Sequence, residues 1–129
     1  MKASIDNKPK HLQRAMLAEQ QACDYLISQQ LECVTRNFRC FYGELDLVMK
    51  QSETETLIIV EVRYRKNAVY GTAQESVTYA KQQKIVAATH CFLEMQPSFQ
   101  DVAIRFDVVA VSGRGEVIWI KNAFDDVAS

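Results

Sequence analysis

The segment LIIVEVRYR, residues 57–65, restricts the possible folds of this chain more than any other segment. Its first four residues are apolar. Because successive side chains of a strand point to opposite faces, the start of this segment is apolar on both faces, which is typical of a central strand covered on both sides. Alternation divides the segment into two faces, with Leu57, Ile59, Glu61 and Arg63 on one and Ile58, Val60, Val62 and Tyr64 on the other.

Hydrophobic periodicity predicts the elements around this strand. A helical period predicts helices over residues 10–29 and 74–95. Alternation and turn residues predict strands over 31–36, 44–50, 57–65, 103–111 and 117–121. The first three strands are expected to form a meander. The order is therefore α-β-β-β-α-β-β, an α/β fold in which helices cover a central sheet.

Length and composition define the class of protein. The 129 residues, of which 48% are hydrophobic and 24% charged, suit one soluble domain over 10–129 that follows a loose polar segment, 1–9. No apolar run exceeds four residues, which argues against a membrane-spanning helix and a signal-peptide core. We expect a cytoplasmic protein with no membrane partner. Its four cysteines contain no CxxC pair, so we expect reduced thiols and no structural zinc.

Charged residues interrupt the predicted apolar faces in four places, and this is the main functional signal. Glu19 falls within the apolar stripe formed by Leu12, Met16, Cys23 and Leu26 of the first helix, or else lies at its solvated margin. The second place is GELDLV, residues 43–48, where Glu44 and Asp46 share a face with Val48, while Leu45, Leu47 and Met49 share the other. An edge strand with one wet face explains that pattern equally well.

The other two places lie further along the chain. Glu61 and Arg63 follow the apolar start of the central strand, which favours a functional role over a surface ion pair. Lys81 and Lys84 project close to Val77 on the second helix, where their stems either cover apolar surface or extend over a cleft that holds anions.

Together these charges indicate one site. Carboxylates from a helix and two adjacent strands, with cations nearby, are costly to gather unless a cation or a phosphate group uses them. Carboxylate oxygens with water describe a Mg²⁺ or Mn²⁺ site, and such a metal serves phosphoryl transfer. The net charge of -1 argues against general electrostatic binding, yet it allows a locally basic cleft for nucleic acid.

The sequence resembles the YraN family, small bacterial proteins related to restriction endonucleases and archaeal-type Holliday junction resolvases. The resemblance covers about residues 14–111. Its motifs are Glu19 with Ala22 and Tyr25-Leu26, Arg36-Asn37, Gly43-Glu44-Leu45-Asp46-Leu47, Glu61-Val62-Arg63-Tyr64-Arg65, Gly71, Lys81 and Arg105-Phe106-Asp107. The resemblance implies a restriction-endonuclease-like PD-(D/E)XK core, with a mixed central sheet covered by helices.

The resemblance also implies roles for individual residues. Asp46 would be the acidic metal ligand of the second strand, Glu61 the acid of the E-x-K signature, and Glu19 the additional helix carboxylate. Glu44, two residues further out on the face of Asp46, would support them. Arg63 stands where the signature has lysine. Arginine does not lose its proton, so Arg63 cannot be a general base, but its guanidinium can bind a phosphate.

Three hypotheses follow. The first is a Mg²⁺- or Mn²⁺-dependent endonuclease acting on branched or single-stranded DNA, with Arg63 on the phosphate and Lys81 or Lys84 neutralising charge. The second is a nucleic-acid-binding module without turnover, and the third is a protein-interaction domain with a structural charge cluster. Four further basic residues either contact the nucleic-acid backbone or only aid solubility. They are Arg36, Arg39, Arg65 and Lys66. No stacking platform is evident, because Tyr79, Phe92 and Trp119 are spaced as core aromatics.

Overall fold

A computed structural model describes residues 7–66 and 70–126 of the chain, so most of the predicted loose segment 1–9 lies outside the described residues. Its helices are α1 (Lys10–Ser28), α2 (Tyr70–Glu75) and α3 (Tyr79–Met95). Its strands are β1 (Glu32–Cys40), β2 (Gly43–Gln51), β3 (Thr56–Arg65), β4 (Ala103–Ser112) and β5 (Val117–Phe124). The strands form one mixed sheet in chain order, antiparallel except between β3 and β4. The predicted α/β fold and meander are confirmed.

The central strand divides the core into two layers. Residues 57–60 of β3 are each at most 1% exposed. Leu57 and Ile59 belong to the layer beneath α3, while Ile58 and Val60 belong to the layer beneath α1. The alternation predicted for this strand is therefore confirmed, and β3 separates two apolar layers as a fully covered strand does.

The buried face of α1 differs from the predicted stripe. Leu12 and Met16 are 43% and 46% exposed. The line in contact with the sheet is instead formed by Ala18, Ala22 and Leu26, spaced four residues apart, with Cys23 beside it. Small side chains let the helix approach the sheet closely, so hydrophobicity alone selected the wrong face at the start of this helix.

The second long helix is interrupted, which also corrects the prediction. A single helix over 74–95 was expected, but α2 ends at Glu75 and α3 begins at Tyr79. Ser76 Oγ donates to the Ala73 carbonyl at 2.7 Å, and Thr78 Oγ1 accepts from the Lys81 N–H at 3.2 Å. These hydroxyls bond the backbone where a continuous helix would bond itself. Val77 is buried between the two helices.

The strand β2 also departs from strict alternation. Leu45 packs in the layer beneath α3, whereas Leu47 and Met49 pack in the layer beneath α1. The pairing of β2 with β3 reaches only to Leu47 and Val60. The change of face therefore occurs at Asp46, beside the point where β2 leaves β3.

Two smaller predictions concern the cysteines and membranes. All four cysteines are free thiols, and Cys23 is buried in the core as expected. Cys91 is half-buried. Among the described helices, none is both long and apolar enough to cross a membrane.

Candidate active site

Asp46 and Glu61 meet where the central strands separate. They are the next opposed residues after the last β2–β3 pair, Leu47 and Val60. At this point the Asp46 carboxylate takes the place of a backbone acceptor, because its Oδ2 accepts a hydrogen bond from the Val62 N–H at 2.9 Å. The Glu61 carboxyl group lies close enough to Asp46 for the two acids to interact. The sheet thus holds two acids in contact at the edge of the core.

Burial dominates the electrostatics of this pair. Glu61 is 5% exposed, and desolvation raises its pKa to about 8, with a further contribution from its interaction with Asp46. Lys81 and Arg63 oppose this shift, with their nitrogens 3.8 and 3.1 Å from Glu61 Oε2. Even with both cations close, the pKa of the Glu61 carboxyl group stays above its ordinary value.

Glu19 on α1 faces the same place. Its side chain and that of Asp46 line a cleft of about 110 Å³ together with Val62 and Tyr64. Burial raises the pKa of Glu19 and the charge of Asp46 raises it further, whereas Arg36 and a hydrogen bond from Asn37 lower it. The Arg36 guanidinium lies 3.6 Å from Glu19. The structure therefore brings Glu19, Asp46 and Glu61 to one locality.

The arginines of β3 contribute buried donors beside the acids. Arg63 pairs with Glu61 through Nη2. The Nε atoms of Arg63 and Arg65 are both buried, and neither has a hydrogen-bond partner within the described part of the chain. A buried N–H without an acceptor is costly, and an anion at this position would supply one.

The remaining basic residues surround the acid pair at different distances. Arg36 and Arg39 line a groove of about 610 Å³ beside Glu19. Lys81 and Lys84 line another of about 360 Å³, together with Arg39 and Glu44. Lys66 is exposed at the end of β3. The structure does not bring Glu44 to Asp46, because Glu44 is exposed and its Oε2 pairs with Arg39 Nε at 3.2 Å.

Asp107 is a structural acid rather than part of the cleft. It is fully buried in β4 and accepts two bonds from Arg105, at 2.9 and 2.8 Å. It also accepts from Trp119 Nε1 and from the Asn122 N–H. Its carboxylate therefore joins β4 to β5.

Sequence reasoning named Asn37 only as part of the family motif and assigned it no role in the site. Asn37 lies in β1 between the pairs Arg36–Leu47 and Phe38–Leu45, directly across from Asp46, and has a φ of 53°. Asparagine tolerates this left-handed conformation better than most residues. Its side chain hydrogen-bonds to Glu19. A polar residue inside a strand opposite an acid was the available signal.

The donor set suits a hard divalent cation. Asp46 and Glu61 offer carboxylate oxygens, which Mg²⁺ and Mn²⁺ prefer. Burial and the charge of Asp46 raise the pKa of Glu61, and the neighbouring cations Lys81 and Arg63 offset this rise only in part. Glu19 points to Arg36 instead, and among residues 7–66 and 70–126 no three His, Cys, Asp or Glu side chains form a metal-binding group. The residues therefore fit two direct protein ligands better than three.

The fold and this acid pair define the class of protein: an α/β domain with a mixed five-stranded sheet, consistent with a nuclease-like core. The sequence model described as Uncharacterised protein family UPF0102 matches residues 18–111. The chain belongs to this family. The resemblance to the YraN family is thereby confirmed, and the matched range contains all three acids of the site.

Curated relatives share most of their length with this chain. A UPF0102 protein of Saccharophagus degradans is 45% identical over 115 residues, which cover 89% of this chain and 95% of the relative. A UPF0102 protein of Francisella tularensis subsp. novicida is 41% identical, covering 83% and 90% of the two chains. One from Nitrosomonas eutropha is 43% identical, covering 84% and 90%.

Proposed function

We propose that this protein is a metal-dependent endonuclease that hydrolyses phosphodiester bonds in DNA, in particular branched or single-stranded DNA. The contact between Asp46 and Glu61 is the main support for this proposal. It joins two acids where β2 separates from β3, beside Arg63 and Lys81 and near two grooves whose linings each include basic side chains. Such a combination suits a substrate that carries both negative charge and bound cations.

Each residue has a definite role in the proposal. Asp46 and Glu61 would hold Mg²⁺ or Mn²⁺, which supplies an activated water and charge stabilisation when bound. Arg63 would turn from Glu61 to the scissile phosphate and donate to it in a fork. Arg63 cannot accept a proton from water, since its guanidinium stays charged. Lys81 would neutralise charge beside the phosphate, and Glu19 would orient water or supply a further oxygen.

The grooves beside the acids suit the backbone of the substrate. Arg36 and Arg39 lie along one groove, and Lys81 and Lys84 lie along the other. Contacts between these cations and phosphates carry no sequence information. The proposed enzyme therefore prefers DNA of a particular structure and has no recognition sequence.

A second candidate is a nucleic-acid-binding module without turnover. Arg63 supports it, because the residue replaces the lysine of the nuclease signature and already pairs with Glu61 at 3.1 Å. In that case the cations would bind phosphate while the acid pair remained structural. Binding would then persist without any metal-dependent cleavage.

The test compares the whole protein with Asp46→Asn on labelled four-way junctions, forked DNA and single strands in Mn²⁺. We expect the wild type to cut at least one of them and Asp46→Asn to be at least a hundredfold slower. Asp101→Asn is the matched control, because Asp101 is exposed outside the site. Its cleavage rate should equal that of the wild type.

Melting curves in Mn²⁺ separate the other hypotheses. A cation that binds the folded state at a hundred times its Kd adds about 2.7 kcal/mol to the free energy of unfolding. We expect this rise in the wild type and in Asp101→Asn, but not in Asp46→Asn. DNA binding without cleavage would favour the second candidate. Neither binding nor any effect of metal would favour a protein-interaction domain.

A further inference from the structure

The β1–β2 hairpin ends in a pair of exposed aromatic side chains. Phe41 is 96% exposed and Tyr42 is 61% exposed. Their ring centroids are 5.4 Å apart and the rings are perpendicular. Phe41 is the most exposed of the large apolar side chains in the described part of the chain. This pair was absent from the aromatic residues considered in the sequence, which suggested no stacking platform.

Neither the turn nor the core accounts for these two residues. Two-residue hairpin loops favour Asn-Gly, Asp-Gly or a leading glycine, because the loop residues take positive φ. Phe41 and Tyr42 do not adopt positive φ. Neither of them belongs to the apolar layers of the core. Their rings contact each other and are mostly exposed, so packing in the core does not explain them.

The hairpin holds this pair close to the acid site. A Cβ atom on Gly43 would lie 3.1 Å from the Lys84 carbonyl oxygen, so the strand approaches α3 closely at this point. The groove of about 360 Å³ there is lined by Arg39, Lys81 and Lys84. Lys81 also contacts Glu61. Three of the residues that line this groove are therefore cationic, although Arg39 also pairs with Glu44 there, and Lys81 connects the groove to the acid pair.

We infer that Phe41 and Tyr42 form a stacking platform for an unpaired nucleobase, whose phosphates lie against Arg39 and Lys84 on the way to the acid pair. Every base has an aromatic face, so stacking tolerates any sequence, while a neighbouring cationic groove suits the backbone. This inference rests on the proposed function and narrows its substrate to DNA with unpaired bases near the bond to be cut. Asp46 is four strand residues from Tyr42, or roughly 13 Å.

The test measures binding of the whole protein to three labelled DNAs, a single strand, a forked duplex and a blunt duplex, by fluorescence anisotropy in EDTA. The variants are Phe41→Ala/Tyr42→Ala, Phe41→Leu/Tyr42→Leu and Phe41→Trp, with Ile27→Ala as an exposed apolar control on α1. We expect both double variants to bind the single strand and the fork tenfold or more weakly, while blunt-duplex binding changes less than twofold. Phe41→Trp and Ile27→Ala should bind like the wild type.

The leucine variant separates stacking from general apolar contact, because leucine keeps apolar area but has no planar face. Wild-type affinity in Phe41→Leu/Tyr42→Leu would overturn the inference. Equal losses on all three DNAs, or a change of oligomeric state in sedimentation, would also overturn it, the latter in favour of a protein interface. If the double variants bind normally, the proposed function stands and only the platform fails. If the wild type binds none of the DNAs, both fail.

Discussion

At the scale of single residues, Glu61 lies in an unfavourable environment for a charge. It is almost fully buried and in contact with another acid. Its partners Arg63 and Lys81 come from the same strand and from α3. A buried acid whose pKa rises despite two neighbouring cations is common at functional sites, where charge is arranged for a ligand.

The raised pKa of Glu61 predicts how stability depends on pH. The pKa is about 8 in the folded chain and near the ordinary value of 4.5 when unfolded, so between these values only the folded state holds the proton. This group therefore stabilises the protein fully below about pH 4.5, and its contribution is lost as the pH rises through 8. Glu61→Gln should remove that loss and gain stability relative to wild type between pH 5 and 8.5.

Thermal or urea unfolding at several pH values checks this prediction. The difference in free energy of unfolding between Glu61→Gln and wild type should grow by more than about 1 kcal/mol over that range, since one pKa unit corresponds to 1.4 kcal/mol. Glu53→Gln is the control, because Glu53 is exposed in the β2–β3 turn. A constant difference across the range would show that Glu61 is ionised in the folded protein.

The acids were predictable residue by residue, but their environment was not. Alternation in β3 placed Glu61 with Arg63, and the helical period directed Glu19 inward. The pairing of Asp46 with the Val62 N–H depends on where β2 leaves β3, and no local pattern marks that point. The role of Asn37 was not predicted, because its left-handed backbone follows from the pairing of β1 with β2.

At the scale of elements, the start of α3 determines whether Lys81 reaches the site. Thr78 caps the helix by accepting the Lys81 N–H, so the backbone of Lys81 is fixed in the first turn. The residue is therefore placed over Glu61 by a helix terminus. This placement depends on the break between α2 and α3, which sequence periodicity did not predict.

Thr78→Ala should destabilise the protein by about 1 kcal/mol, the usual cost of losing an N-cap acceptor. The first turn would fray and weaken the Lys81–Glu61 contact, so binding of DNA to the groove should also weaken. Unfolding in urea and anisotropy with single-stranded DNA check the two effects. Thr78→Ser retains the hydroxyl and should restore both, whereas equal losses in Thr78→Ser would rule out capping as the cause.

At the scale of the whole molecule, β3 separates two apolar layers. Phe92 lies in the layer beneath α3, with Phe38 and Phe99 against it. Trp119, the single tryptophan, packs against the layer beneath α1, with Tyr25 at 6.2 Å. Phe92 and Trp119 therefore lie on opposite faces of the sheet.

Phe92→Ala should lower the free energy of unfolding by about 3–5 kcal/mol, because it leaves a cavity in a packed layer. Since β3 contributes to both layers, Trp119 fluorescence and far-UV circular dichroism should shift together to the same lower urea midpoint. Tyr79 was expected in the core but is 59% exposed on α3, so Tyr79→Ala should leave the midpoint nearly unchanged. Different urea midpoints for Trp119 fluorescence and for circular dichroism would show that the layers unfold independently.

The sequence by itself determined the α/β class, the order of the elements, the two faces of β3 and the candidate acids. These follow from hydrophobic period and residue chemistry, which act between near neighbours along the chain. They were sufficient to predict the fold and to name Glu19, Asp46 and Glu61.

Only the tertiary structure decided where these residues meet and what surrounds them. Three features depend on segments far apart in sequence: the separation of β2 from β3 at Asp46, the raised pKa of Glu61, and the groove between Lys84 and the β1–β2 hairpin. Burial and Coulomb interactions act through space, so they are settled only when the sheet brings these segments together. Exposure is equally a property of the assembled surface, which is why Phe41 and Tyr42 became visible as a pair only in the structure.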